Sequence, residues 1–255
     1  MSAATPHDAT FLSNRAIIRL SGEESRPFLQ GLVTQDVRKA GPDAPCWTGL
    51  LTPQGKALFD FMLWGDAGAP DDLLIDCEAD QADALMKRLT LYRLRRAVDI
   101  AREPSIGVHW SRDAAHKPFD PRLAALGHRW LGEAGGADAS AVFAAHRLAL
   151  GVLEGVGELG SGETLWLEAN GEELNGVAYD KGCYVGQENT ARMHYRSKVN
   201  RRLVAVPISQ ADLKRQRALI ADQGISIEHR RVEDLAGLSL PQWLADAIAD
   251  TGENA

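Results

Sequence analysis

Apolar and polar positions alternate along the chain in a way that marks out short strands and helices in succession. Residues 16–20, AIIRL, read as a strand. Ser21 and Glu24 then stand at the spacing of a capping box, in which each side chain satisfies the other's free backbone N–H, and predict a helix over about 22–32. Residues 46–65, CWTGLLTPQGKALFDFMLWG, place two apolar runs on either side of a Pro-Gln-Gly turn and predict a hairpin with a slightly long loop. A further strand pattern is DLLIDC, 72–77. Asp80 is suited to cap a helix whose apolar stripe is Leu85, Met86 and Leu89, and Arg93, Arg95 and Arg96 fall near its end, where cations suit the helix dipole. VDIA, 98–101, returns as a strand. This order predicts an α+β domain built on an antiparallel sheet.

The second half continues in the same style without a residue-level repeat. SIGVHW (105–110) and HRWLG (128–132) read as strands, and ASAVFAAHRLALG (139–151) as an Ala-rich helix that stops at Gly151. From Thr164 the pattern runs from a strand, TLWLEAN, through a long loop into a helix beginning near Gln187. LVAVPI (203–208) is a strand, and a basic, polar stretch and an acidic tail follow it. A boundary near residue 202 divides the chain into 1–202, with subdomains of about 10–101 and 102–202, and a shorter unit over 203–255.

With 255 residues, 45% of them hydrophobic, the chain buries a substantial core. The first fifteen residues have neither a basic start before an apolar run nor an Arg-rich amphipathic pattern. No segment reaches the roughly 18 uninterrupted apolar residues of a membrane span, so a cytoplasmic protein with no membrane partner is expected. Cys46, Cys77 and Cys183 are odd in number and far apart, which suits a reducing compartment better than a disulfide framework. A net charge of -7 argues against general nucleic-acid binding. The charge is uneven, however. Lys181, Arg192, Arg196, Lys198, Arg201 and Arg202 face only Glu188 within their segment, which carries +5, and Lys87, Arg88, Arg93, Arg95 and Arg96 form a second cluster. Such zones suit an anionic small molecule or an acidic partner surface, although solvated helix faces account for many charge runs.

KGCYVGQE, 181–188, displays one thiol among polar and flexible residues. If a helix starts near Gln187, Cys183 lies just ahead of its free N–H groups, and both the dipole and the Lys181 cation lower the pKa of a thiol so placed. Cys183 is then a candidate nucleophile or metal ligand. The alternative, a small apolar residue that merely packs, stays open. Gly182 and Gly186 permit a sharp turn, and Glu188 and Arg192 stand i to i+4 on the helix. Cys46 and Cys77 lie in strand patterns and read as structural.

KGCYVGQE, continuing into Ala191-Arg192, resembles the signature of the YgfZ family, folate-binding proteins of iron-sulfur cluster assembly or repair that are related in fold to the T-protein (aminomethyltransferase) of the glycine cleavage system. FLQGLVTQDV (28–37), the hairpin around TPQGKALFDFMLWG, LYRLRRAVDI (91–100), HRLALGVLEG (146–155) and LWLEAN (165–170) resemble family segments in the same order. The likeness is greatest to the branch that includes the mitochondrial members. It implies a T-protein-like fold, with antiparallel-sheet subdomains around a central folate-binding opening and an abbreviated C-terminal β domain.

The resemblance also implies a site. Glu168 would accept hydrogen bonds from the pterin of tetrahydrofolate or a derivative, and Tyr184, Gln187, Glu188 and Arg192 would complete the folate-binding residues. Lys181 and Cys183 would be the functional pair, with Cys183 as ligand to a two-iron cluster shared with an A-type iron-sulfur carrier protein. Where the T-protein has a pair of aspartates this chain has Phe59 and Asp60, which puts aminomethyl transfer in doubt. Three readings compete: a folate-binding assembly factor, a tetrahydrofolate-dependent one-carbon transferase, and a cysteine hydrolase. The last requires a His base, and neither His146 nor His194 has a diagnostic spacing to Cys183.

Overall fold

The structure, a computed structural model, describes residues 9–196 and 198–253. Its largest element is a five-stranded antiparallel sheet formed by β1 (Arg15–Ser21), β2 (Cys46–Leu51), β3 (Ala57–Gly65), β4 (Leu73–Glu78) and β5 (Asp99–Arg102). The strands lie side by side in the order β2-β3-β4-β1-β5. One face is closed by α1 (Ser25–Gln30) and α2 (Ala82–Arg93), whose Phe28, Leu29, Leu85 and Leu89 pack on Ile18, Leu20, Phe61, Leu63 and Ile75 in one core cluster. Apolar runs mark these strands in the sequence because the sheet is covered on both faces: β2 is buried along its whole length and β4 along all but its last residue.

The other face of the sheet meets a second layer. β6 (Ile106–Ser111) and β7 (His128–Glu133) form a two-stranded ribbon, and α3 (Ser140–Ala149) and the short α4 (Val156–Leu159) follow it. Trp47, Trp64, Trp110, Phe143 and Trp166 fill the space between. Through this layer runs a set of buried ion pairs. Asp76 of β4, fully buried, receives Arg15 of the neighbouring strand on one oxygen at 2.7 Å and Arg129 of β7 on the other at 2.7 Å. Arg122 bridges Asp120 and Glu154, and Arg147 holds Glu158 at 2.6 Å. Burial works against the ionised form of Glu154, yet Arg147, Arg122 and Arg15 together hold its carboxyl well below the usual range. Removing one partner from such a pair strands the other, at a cost of about 3–5 kcal/mol.

Beyond α5 (Gln187–Arg196), the chain forms a three-stranded sheet of β8 (Arg201–Pro207), β9 (Gln216–Ile220) and β10 (Ile225–Arg231), ordered β8-β10-β9, and ends its described part in α6 (Gln242–Glu253). β8 docks on the segment before the KGCYVGQE loop: Leu203 N donates to Glu168 O at 2.8 Å, Asn170 Nδ2 to Leu203 O at 2.9 Å, and buried Arg202 pairs with Glu173 at 2.6 Å. Among the described residues no helix is long and apolar enough to cross a membrane.

Several local expectations are corrected. The first helix is shorter than 22–32, and the capping box does not form. Gly22 takes φ +111°, where a Cβ would stand 2.5 Å from Ala97 O, and Glu24 accepts instead from Ala97 N at 2.6 Å. Gln81, not Asp80, precedes α2. TLWLEAN is no strand but a run of turns, with one isolated bridge from Leu165 to Lys56. Its consecutive apolar residues are buried by packing, with Trp166 tilted against Trp47 at 4.7 Å between ring centres, while Ala169, Asn170 and Gly171 donate to carbonyls within the segment. The polar stretch after residue 208 contains two strands, β9 and β10, joined through Gly224 at φ +66°.

Glu78 supplies a pH test of this packing. Burial pushes its carboxyl from the usual 4.5 up to about 7, against the opposing pull of Val156 N–H at 2.7 Å. The folded form keeps its proton to about pH 7 while the unfolded form loses it near 4.5, so this group's contribution to stability declines as pH rises through that window. The melting temperature of Glu78→Gln relative to the native protein should therefore climb between pH 5 and about 7 and level off above it. A difference independent of pH would contradict the assignment.

Candidate functional site

The KGCYVGQE loop joins a turn-rich segment to α5, and three attachments set its course. Lys181 does not point at Cys183 as the sequence suggested. It is 5% exposed, and its ammonium donates to the carbonyl oxygens of Gln30 (2.8 Å), Val33 (2.5 Å) and Gln35 (2.9 Å) at the exit of α1. The same nitrogen lies 4.9 Å from the centre of the Tyr184 ring. Burial lowers its pKa to about 8, with Asp36 opposing, so Lys181 is mainly a cation at neutral pH. Its role is to anchor the loop.

Gly186 makes the second attachment. It takes φ +85°, and a Cβ there would stand 2.5 Å from Thr52 O, so only glycine lets the loop lie this close to the hairpin turn between β2 and β3. Asn189 Nδ2 donates to Gln54 O at 3.0 Å across the same contact, and Thr190 Oγ1 donates back to Gly186 O at 3.1 Å. The third attachment is at the far end of α5. His194 stacks on Tyr179 with ring centres 3.7 Å apart, and Glu172 receives His194 Nδ1 at 2.8 Å and the Tyr179 hydroxyl at 2.8 Å.

Held in this way, Cys183 is exposed, whereas Cys46 and Cys77 are buried. Burial raises their thiols to about 11 and about 12. The residues flanking Cys183 border different depressions. Tyr184, Gln187, Glu188 and Arg192 line an open cleft of about 820 Å³ together with Pro53, Tyr195 and Arg196. Gly182 borders a separate, smaller depression of about 380 Å³ beside Arg26 and Arg38. Four of the five expected folate residues thus share one cleft. Tyr195, which is 68% exposed, belongs to it as well and went unnoticed in the sequence, although its place one turn after Arg192 on α5 was a usable signal. The expected pair of Glu188 and Arg192 forms at 3.6 Å, but with both side chains in solvent it adds at most about 0.5 kcal/mol.

Glu168 does not join them. It lines neither depression; its carboxylate lies 3.1 Å from Nε2 of His229 on β10, and its backbone carbonyl receives Leu203. Its side chain is 14% exposed and lies against the C-terminal sheet, outside the cleft that the other four residues share. Asp60 is equally committed: Trp47 Nε1 donates to one oxygen at 3.0 Å and Gly155 N to the other at 2.8 Å. Burial, with Glu154 nearby, raises its carboxyl above the ordinary aspartate value. Among the described residues no group of three or more His, Cys, Asp and Glu side chains could hold a metal ion, and no hydrogen bond reaches Cys183 from a histidine. His146 is used by Ala125 O at 2.9 Å. Among the described residues no histidine base is placed on Cys183.

No protein-family model matches the chain. It is similar to "Iron-sulfur cluster assembly factor IBA57, mitochondrial" of Mus musculus, 31% identical over an alignment of 238 positions that covers 77% of this chain and 65% of the mouse protein. It is also similar to the Homo sapiens protein of the same name, 32% identical over an alignment of 231 positions that covers 76% of this chain and 65% of that one. The chain thus spans about 65% of the length of these relatives. Their names overturn the expectation of a cytoplasmic protein, since both are mitochondrial. Among solved structures, the glycine cleavage system aminomethyltransferase T from Bartonella henselae matches with a TM-score of 0.60 at 12% identity, over 89% of this chain and 80% of the other. The fold is T-protein-like.

Exposure separates the three thiols in a way that alkylation can read. Iodoacetamide on the native protein at pH 8 should modify Cys183 alone, and Cys46 and Cys77 should react only after unfolding. Cys183→Ser should leave the melting temperature nearly unchanged, within about 0.5 kcal/mol of stability, because no buried contact is lost. Comparable labelling of all three cysteines in the native state would contradict the placement.

Proposed function

We propose that this protein is an accessory factor in iron-sulfur cluster assembly and that it offers Cys183 to a cluster carried by a partner. The observation that carries the reading is the single exposed thiol on a firmly anchored loop, in a chain similar to named iron-sulfur cluster assembly factors. A conventional cluster is held by four thiolates, and here two of three cysteines are buried in the sheet. Cys183 thus supplies one ligand to the cargo, and a partner supplies the rest.

An A-type carrier, whose own cysteines would share a two-iron cluster with Cys183, suits this chemistry. The exposed Arg192 and Arg196 beside the loop would steer an acidic face toward it. Aminomethyl transfer is the weaker reading, because both oxygens of Asp60 are used in holding Trp47 and Gly155. Folate has no step in this account, since the carboxylate meant for the pterin faces His229.

The test is reconstitution. Mixed anaerobically with an A-type carrier, iron, sulfide and a thiol reductant, the protein should form a heteromeric complex with cluster absorption. Cys183→Ser should lose the shared cluster and most of the association. A complex formed equally well without iron and by the serine variant would overturn the bridging role of Cys183.

A further inference from the structure

The +5 segment from Lys181 to Arg202 is only partly accounted for by the loop. Lys181 is used up by three carbonyl groups, Arg202 by Glu173, and Arg192 faces Glu188. The Arg201 side chain has no hydrogen-bond or ion-pair partner among the described residues, although the residue is half-buried. It stands directly across the β8–β10 ladder from Arg231, so the two side chains leave the same face of the C-terminal sheet. Like charges placed opposite one another on antiparallel strands repel at a Cβ separation of about 5 Å. Such a pair is stable when an anion lies between its members.

The surroundings supply the rest of a site. Asn200, Arg201, Arg231, Val232 and Glu233 line a cavity of about 510 Å³, separate from the cleft beside Cys183. Glu233 takes Nη1 of Arg231 at 2.9 Å, which fixes that guanidinium while its Nε and Nη2 keep free protons. Asp234, the next acid, is turned to Arg215 at 3.5 Å. Arg201 and Arg231 against Glu233 leave the lining with one net positive charge, which suits an oxyanion. The forked donors of two guanidinium groups suit the tetrahedral oxygens of a phosphate better than the single plane of a carboxylate.

We propose that the Arg201–Arg231 pair and Asn200 form a binding site for a phosphate-type oxyanion, either inorganic phosphate or the phosphate of a small phosphomonoester. The site lies at the end of β8 that receives the chain from α5, so an anion there fixes the linker leading away from the Cys183 loop. It does not depend on the proposed role in cluster assembly.

Calorimetric titration of the full chain at fixed ionic strength, with inorganic phosphate, glycerol phosphate and glutarate as separate probes, tests the site. Phosphate or glycerol phosphate should bind, and the stronger of the two identifies the source. Glutarate should bind at least about tenfold more weakly. Arg201→Ala and, as an independent variant, Arg231→Gln should each weaken phosphate binding by about tenfold or more, at native circular dichroism, while Arg192→Ala in the other cleft should not. Absence of heat with both phosphates, equal binding of glutarate, or equal losses in Arg192→Ala and Arg201→Ala would overturn the proposal.

Discussion

The ammonium of Lys181 ties together parts of the chain that lie 146 to 151 positions apart, and the arrangement around the exposed thiol follows from that tie. Three carbonyl oxygens at the exit of α1 have no strand or helix partner to use, and a buried cation with three donors satisfies them at once. Because the lysine is drawn inward, the next two residues are thrown outward, and Gly182 and Cys183 are both exposed. The chain then returns to the surface of the hairpin turn at Gly186, and α5 starts from there. A residue that looked like a cation for activating the thiol instead determines where the thiol sits.

The same economy recurs in the body of the protein. Asp76 is gripped from its own sheet by Arg15 and from the two-stranded ribbon by Arg129, so the two layers are joined by charge as well as by the tryptophan core. Arg202 and Glu173 repeat the device where the C-terminal sheet meets the segment before the loop. Each is costly to desolvate and more costly to break, so these pairs fix how the layers are oriented while apolar burial supplies the stabilisation. Carboxylates that a transferase would need free, Asp60 above all, are spent in this framework.

Much of the fold was legible in the sequence because strands covered on both faces read as apolar runs and packed helices carry an apolar stripe, and β1 to β8 with α2, α3 and α5 lie close to where those patterns put them. TLWLEAN failed the same logic because a run of turns buries consecutive apolar residues without a ladder: Trp166 and Leu167 are both buried, Trp166 against Trp47. β9 and β10 were missed because polar residues interrupt their apolar pattern: β9 is a five-residue edge strand, and central β10 buries Ser226, Glu228 and His229. At the site, the exposed thiol and the start of α5 could be read from glycine placement and helix signals. The direction of a long side chain could not: Lys181 inward and Glu168 toward His229 are set by partners some 60 to 150 positions away.

The central claim, that buried Lys181 holds the Cys183 loop in its displayed position, is tested most directly by hydrogen exchange on Lys181→Met. Methionine keeps the stem's volume and removes the donors, leaving three carbonyls short of a partner at roughly 1–3 kcal/mol each before water relieves them. Amides of residues 182–187 and of 31–36 should then exchange much faster than in the native protein, while β3 and β4 keep their protection. Unchanged exchange in both segments would show that the loop is held by other contacts and would contradict the account.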